Sequence, residues 1–99
     1  GEKRFPFSWY EEFIHSKIYS LWRRPTRSTV GKKVATAVVA FRVFRDGHIE
    51  NITLKESSGN PVMDQSVLQA ARLADPLPAL PEDFKGQYED FAVLFELKD

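Results

Sequence analysis

Residues 44–64 read Phe44-Arg-Asp-Gly-His-Ile-Glu-Asn-Ile-Thr-Leu-Lys-Glu-Ser-Ser-Gly-Asn-Pro-Val-Met-Asp64. Asp46-Gly47 tolerates the positive φ angles of a two-residue hairpin loop, so the apolar run before it is expected to fold back on the one after it. At the other end, Gly59 permits a sharp bend, Asn60 can accept from the orphan N–H groups of a helix, and Pro61 suits a first helical position. Strand, turn, strand, break and helix start therefore follow one another within this short span.

Upstream, Val34 to Arg45 is rich in β-branched and aromatic residues and too apolar on both faces for a strand with one face fully in water. Val39, Phe41 and Val43 are expected toward the helices, with Val38, Ala40 and Phe44 on the opposite face. The second strand, Ile49 to Glu56, offers Ile52 and Leu54 to the same core. Helix two is expected from Pro61 to Leu73, with Met63, Val67, Ala70, Ala71 and Ala74 inward and Asp64 at the positive end of its dipole.

Further out, Ser8 reads as a helix cap with Glu11 as its capping-box partner and Glu12 as first-turn charge. Tyr10, Phe13, Ile14, Ile18, Leu21 and Trp22 recur at three- and four-residue spacing, which gathers them on one face. Pro25 should end that helix, because it lacks a donor and disfavours helical geometry at Arg24. Thr26 to Lys33 reads as a polar, basic loop. On the C-terminal side, Pro76-Leu77-Pro78-Ala79-Leu80-Pro81 is held extended by three prolines, and Leu77 and Leu80 suit a cover over the core. Its PxxP spacing also fits an SH3-type ligand, a weaker use of the same leucines. Tyr88 to Leu97 is the last strand, with Phe91, Val93, Phe95 and Leu97 alternating with Ala92, Leu94 and Glu96.

The order helix, strand, strand, helix, strand predicts an α+β domain: a three-stranded antiparallel sheet with two helices packed on one face. At 99 residues the chain suits one domain rather than two. Residues 8–98 form it, and 1–7 read as a linker or a vector remnant. Eight Phe, two Trp and three Tyr supply enough bulk for burial to hold it together. The absence of Cys removes disulfides, thiolate metal sites and Cys nucleophiles together. No run approaches the roughly 20 apolar residues of a membrane helix.

Net charge is zero but uneven: residues 1–49 hold ten Lys/Arg against four Asp/Glu, and residues 50–99 the reverse. Arg23, Arg24, Arg27, Lys32 and Lys33 form the densest basic patch. With a neutral pI and no binding motif it reads as a solvated loop beside a helix C-terminus, and nucleic acid is not an expected partner.

Catalytic chemistry finds little support. His15 and His48 have no second ligand at metal-binding spacing. Ser57-Ser58-Gly59 lacks the nucleophile elbow, and its hydroxyls suit local bonds in the bend. Asp64 as a general acid is a lone first-turn carboxylate. Asn51-Ile52-Thr53 matches a glycosylation sequon but falls within an expected strand. No glycine-rich phosphate loop occurs. No catalytic residue, cofactor or metal is expected, and an enzyme acting through Asp64 or His48 is the least supported reading.

What remains is the sheet, whose outer strands present rows of unpaired N–H and C=O groups. The last strand, reached by a proline stretch rather than a hairpin, is expected at an edge. Its residues Tyr88, Asp90, Phe91, Ala92, Val93, Leu94, Phe95 and Glu96 are the candidate site for an added strand. Acidic Glu89, Asp90 and Glu96 would discourage indiscriminate pairing.

Four segments, in order across residues 9–97, resemble the C-terminal periplasmic domain of the TonB/TolA energy transducers. They are Leu21-Trp22-Arg23-Arg24-Pro25, Phe41 to Ile49, Lys55 to Asp64, and Pro76 to Pro81. The Leu-Trp-x-x-Pro ending is more similar to the TolA-like branch, and Met63 stands where the family usually has Leu. The resemblance implies a non-enzymatic coupler in the periplasm, tethered to the inner membrane by an N-terminal helix that meets proton-driven motor proteins. It implies a partner at the outer membrane, either a TonB-dependent receptor or a Tol-Pal protein. The alternative is a structural module that forms a strand-paired homodimer.

Overall fold

The computed structural model describes residues 5–26, 31 and 34–98. The elements run α1 (Ser8–Leu21), β1 (Val34–Phe44), β2 (Ile49–Glu56), α2 (Pro61–Leu73) and β3 (Tyr88–Lys98). The three strands form one antiparallel sheet in the order β2-β1-β3, so the central strand is the first in the chain. Both helices lie on one face of it, as the α+β reading expects.

Period-two burial decides which face is covered. Ala35, Ala37, Val39, Phe41 and Val43 of β1 and Val93, Phe95 and Leu97 of β3 are buried under the helices. Helix α1 contributes Tyr10, Ile14 and Ile18; α2 contributes Met63, Val67, Ala70 and Ala71, with Ala74 just beyond its end. Val38, Ala40 and Phe44 lie on the opposite face, half-buried. On β2, Ile49 is buried, while Ile52 and Leu54 only pack against the core from its margin.

The break before α2 forms as its residues predict. Asn60 Oδ1 accepts from the N–H groups of Val62 and Met63. Asp64 reaches back across the bend, accepting from Ser57 Oγ at 2.5 Å and from Ser58 N–H and Oγ at 2.8 Å. The serine hydroxyls are thus structural.

Four local expectations are corrected. Phe44 N–H donates to His48 and Gly47 N–H to Phe44, so the hairpin loop holds three residues rather than two. Gly47 takes φ 95°, the left-handed position of such a loop. Ser8 does not cap α1: Phe7 occupies the cap position without a side-chain bond, and Ser8 is already helical. The same helix stops at Leu21, ahead of Pro25. Trp22 turns extended so that its indole packs on Phe95, 5.2 Å between centroids, and its Nε1–H donates to Ser66 Oγ. Phe13, expected inward, is 46% exposed, because the buried row runs through Tyr10, Ile14 and Ile18 and leaves Phe13 to one side. Of the basic patch, Arg27, Lys32 and Lys33 fall outside the described residues, as does most of the loop that carries them.

The proline stretch crosses the end of the hairpin. Leu77 N–H donates to Gly47 and Leu80 N–H to Arg45, and both leucines are buried. Arg45 then gathers the connection into β3: its guanidinium donates to the carbonyls of Pro81, Phe84 and Gly86. Among the described residues no helix is long and apolar enough to cross a membrane.

Candidate partner-binding edge

β3 pairs with β1 along its whole length, from Val34 opposite Lys98 to Phe44 opposite Tyr88, without a bulge. Among the described residues no strand pairs with its other side. Which backbone groups point there follows from the turn. Phe44 directs its N–H and C=O into the hairpin, toward His48 and Gly47, while Arg45 N–H donates to Gln87. Antiparallel strands alternate bonded and non-bonded pairs. Phe91, Val93 and Phe95 therefore spend their backbone groups on β1, and Tyr88, Asp90, Ala92, Leu94 and Glu96 turn theirs outward.

The eight expected site residues thus divide by parity. Five present backbone at the rim and side chains on the uncovered face. Three are core: Val93 and Phe95 are fully buried, and Phe91 packs on Tyr10 and Phe5. The rim end nearest Tyr88 is stiffened by Arg42 of β1, which bonds the Asp90 carboxylate through Nε at 2.8 Å and Nη2 at 3.1 Å. Its guanidinium also lies 3.8 Å from the Tyr88 ring centroid. That pairing holds the Asp90 carboxyl below its ordinary range, against a smaller upward effect of desolvation.

Two residues that sequence periodicity passes over close parts of the rim. Glu89 Oε1 accepts from Asp90 N–H at 3.1 Å. On the other side of Ala92, the Tyr19 hydroxyl of α1 donates to the Leu94 carbonyl. Burial, with Glu96 nearby and Arg24 opposing, raises the Tyr19 pKa, so the phenol keeps its proton at neutral pH. Only tertiary packing brings Tyr19 to Leu94, so no spacing in the chain announces it. Between α1 and the rim lies a groove of about 520 Å³, lined by Phe5, Ser8, Glu11 and His15 on one side and by residues 89–92 on the other.

The remaining candidates stay apart from this edge. His48 sits on the hairpin, 3.3 Å from Glu50 and 3.5 Å from Asp75. His15 stands on α1 beside the Tyr19 ring. Among the described residues no three metal-ligating side chains converge. Asn51 takes φ 57° where the β1–β2 ladder is irregular, a conformation asparagine tolerates.

Comparison with known proteins agrees with this architecture. The chain is 29% identical over 75 residues to Protein TonB of Haemophilus influenzae, a match covering 76% of this chain and 28% of that protein. It therefore spans little more than a quarter of that relative's length. The solution structure of the Helicobacter pylori TonB C-terminal domain superposes with a TM-score of 0.67 at 19% identity, covering 90% of this chain and 92% of that one. TolAIII bound to a peptide derived from the N-terminus of TolB superposes with a TM-score of 0.73 at 22% identity, covering 100% and 79%. At such identities these likenesses concern the fold. The TonB C-terminal family model matches residues 7–95, from the cap of α1 almost to the end of β3, and the chain belongs to that family.

Proposed function

We propose that this domain is the terminal module of a TonB/TolA-like energy transducer, binding an extended partner segment as a fourth strand on the free rim of β3. The observation that carries the reading is that rim: outward backbone groups on Tyr88, Asp90, Ala92, Leu94 and Glu96, beside a groove, on the strand that ends the family's fold. A TolAIII domain of like fold holds a TolB-derived peptide, which supports peptide binding as a use of this architecture. The partner is an outer-membrane receptor or a Tol-Pal protein. An N-terminal segment tethers the domain in the periplasm to inner-membrane motor proteins, and the domain transmits force without catalysing a reaction.

Magnitudes suit that task. Each added backbone bond contributes about 0.5–1.5 kcal/mol net, and ordering the segment consumes part of the total. The contact is weak and renewable, as cyclic coupling requires, and side chains must set its specificity. The test is titration of receptor N-terminal and Tol-partner peptides into 15N-labelled domain. Amide shifts concentrated within β3 are expected, and an unmoved β3 with every peptide would remove the edge reading.

A strand-paired homodimer is the second reading. It is favoured by the uncovered sheet face, where Val34 and Leu94 are each about half exposed. Sedimentation over a concentration series separates the two, since a monomer throughout excludes the dimer.

A further inference from the structure

The rim of β3 is not uniformly open. Glu89 holds the outward N–H of Asp90, and Tyr19 holds the outward C=O of Leu94. Between them stand the Asp90 carbonyl and both groups of Ala92, at the mouth of the groove, and the Leu94 N–H just beyond it. Strands alternate their side chains, so an added strand would turn every second residue toward α1 and the rest toward the open face. The α1 wall there is Ser8, Glu11 and His15, with Glu12 adjoining. Among the described residues lining it there is no Lys or Arg, while Glu11, Glu89 and Asp90 are acidic, Asp90 being paired with Arg42 on the open face; Glu12 adjoins. On the open face, Ala92 and the half-exposed Leu94 are apolar, and the Asp90 carboxylate at the Tyr88 side is already taken up by Arg42.

We infer that Tyr19 and Glu89 confine the docking strand to a short window centred on Ala92, and that this strand is amphipathic, with Lys or Arg facing α1 and apolar residues facing Leu94. The inference rests on the edge-addition reading and specifies the partner's register and chemistry. Tyr19 is a positioning residue. By holding the Leu94 acceptor it makes pairing beyond that point cost an existing bond, so the register that stops at Leu94 is preferred. A basic side chain in the groove gains from three nearby carboxylates; an acidic one is repelled.

The probes are two blocked hexapeptides, alternating Val-Lys and alternating Val-Glu, titrated into the 15N-labelled domain at low salt. The lysine peptide is expected to bind roughly two- to fivefold more tightly, the scale of an exposed ion pair. It should shift Ala92 and Leu94 amides most and leave Glu96 and Lys98 amides nearly still. In Glu11→Gln/Glu12→Gln the preference should shrink toward one. In Tyr19→Phe, which removes only a hydroxyl, shifts should extend to Glu96 and Lys98. Equal binding of the two peptides at the rim would overturn the charge assignment and leave edge addition standing. Wild-type shifts as large at Glu96 as at Ala92 would overturn the window, with no variant needed. Silence of all β3 amides with both peptides and with the natural partner segments would remove edge addition itself, and the inference with it.

Discussion

Gly47 shows how much of the fold rests on one missing side chain. A Cβ built there would lie 1.9 Å from the Leu77 carbonyl oxygen, at a φ of 95° that L-residues avoid. The obstacle is backbone held in place by Leu77 N–H donating to Gly47, so it cannot swing aside. Gly47→Ala is expected to cost roughly 2–4 kcal/mol, read as a lower urea midpoint. Tyr10 ties the same proline stretch from the helix side. Its ring is fully buried, and its hydroxyl donates to Pro78 at 2.5 Å. Burial pushes its pKa up to about 12, above the ordinary 10. A raised pKa means that the folded state keeps a proton the unfolded state has lost. The stabilisation is therefore whole below pH 10 and disappears as pH climbs through about 12. Tyr10→Phe should lose about 1 kcal/mol at neutral pH and show a shallower fall in stability over that alkaline window, in matched urea titrations.

At the scale of elements, the position of β3 depends on the connection that delivers it. Arg45, just past β1, bonds three carbonyls between Pro81 and Gly86, and Phe84 packs on Phe5. The turn that closes the hairpin also fixes where the edge strand begins. Arg45→Met should keep the strands paired but free residues 81–87, costing about 1–3 kcal/mol. Amide exchange in that segment should rise well before exchange in Val39 or Val93. Much of this layout was legible in the chain: α2 and β2 begin and end where the prolines, glycines and alternation say they should. Such signals are local, and their physics acts within a few residues. Where a distant group decides the outcome, reading from spacing failed. Trp22 leaves α1 early to reach Phe95 and Ser66, and the hairpin loop gains a residue where it meets Leu77. The edge strand was legible as an edge, because a proline crossover cannot form a hairpin. Alternation already set Phe91, Val93 and Phe95 apart as the inward residues; that the other five also turn their backbone groups outward depends on which pairs are bonded, a phase set by the turn. Glu89 was legible as an acidic residue at the edge but not as the acceptor of the Asp90 N–H, and the Tyr19 cap had no signal in the sequence.

For the whole molecule, the direction of its elements bears on how a pull would be carried. Tyr10 packs on Phe91 while Tyr19 and Trp22 pack on Phe95, so α1 and β3 run the same way. Phe5 lies against Phe84 and Phe91, which brings the N-terminal approach to the Tyr88 end of β3. Under the proposed coupling, load entering there would pass into the core through the buried row of Tyr10, Ile14 and Ile18. A strand docked on the rim and pulled from its Lys98 end would be sheared, with its backbone bonds loaded together. Pulled from its Tyr88 end, the same strand would peel away one bond at a time. Since each bond contributes only about 0.5–1.5 kcal/mol, loading them together is what lets a weak contact hold under tension. With the domain held by its N-terminus in optical tweezers, a rim-binding peptide tethered through its Lys98-side end should rupture at higher force than one tethered through the other end, at equal loading rate. Equal rupture forces would mean that the rim does not carry the pull, and force coupling through β3 would have to be abandoned even if the peptide binds there.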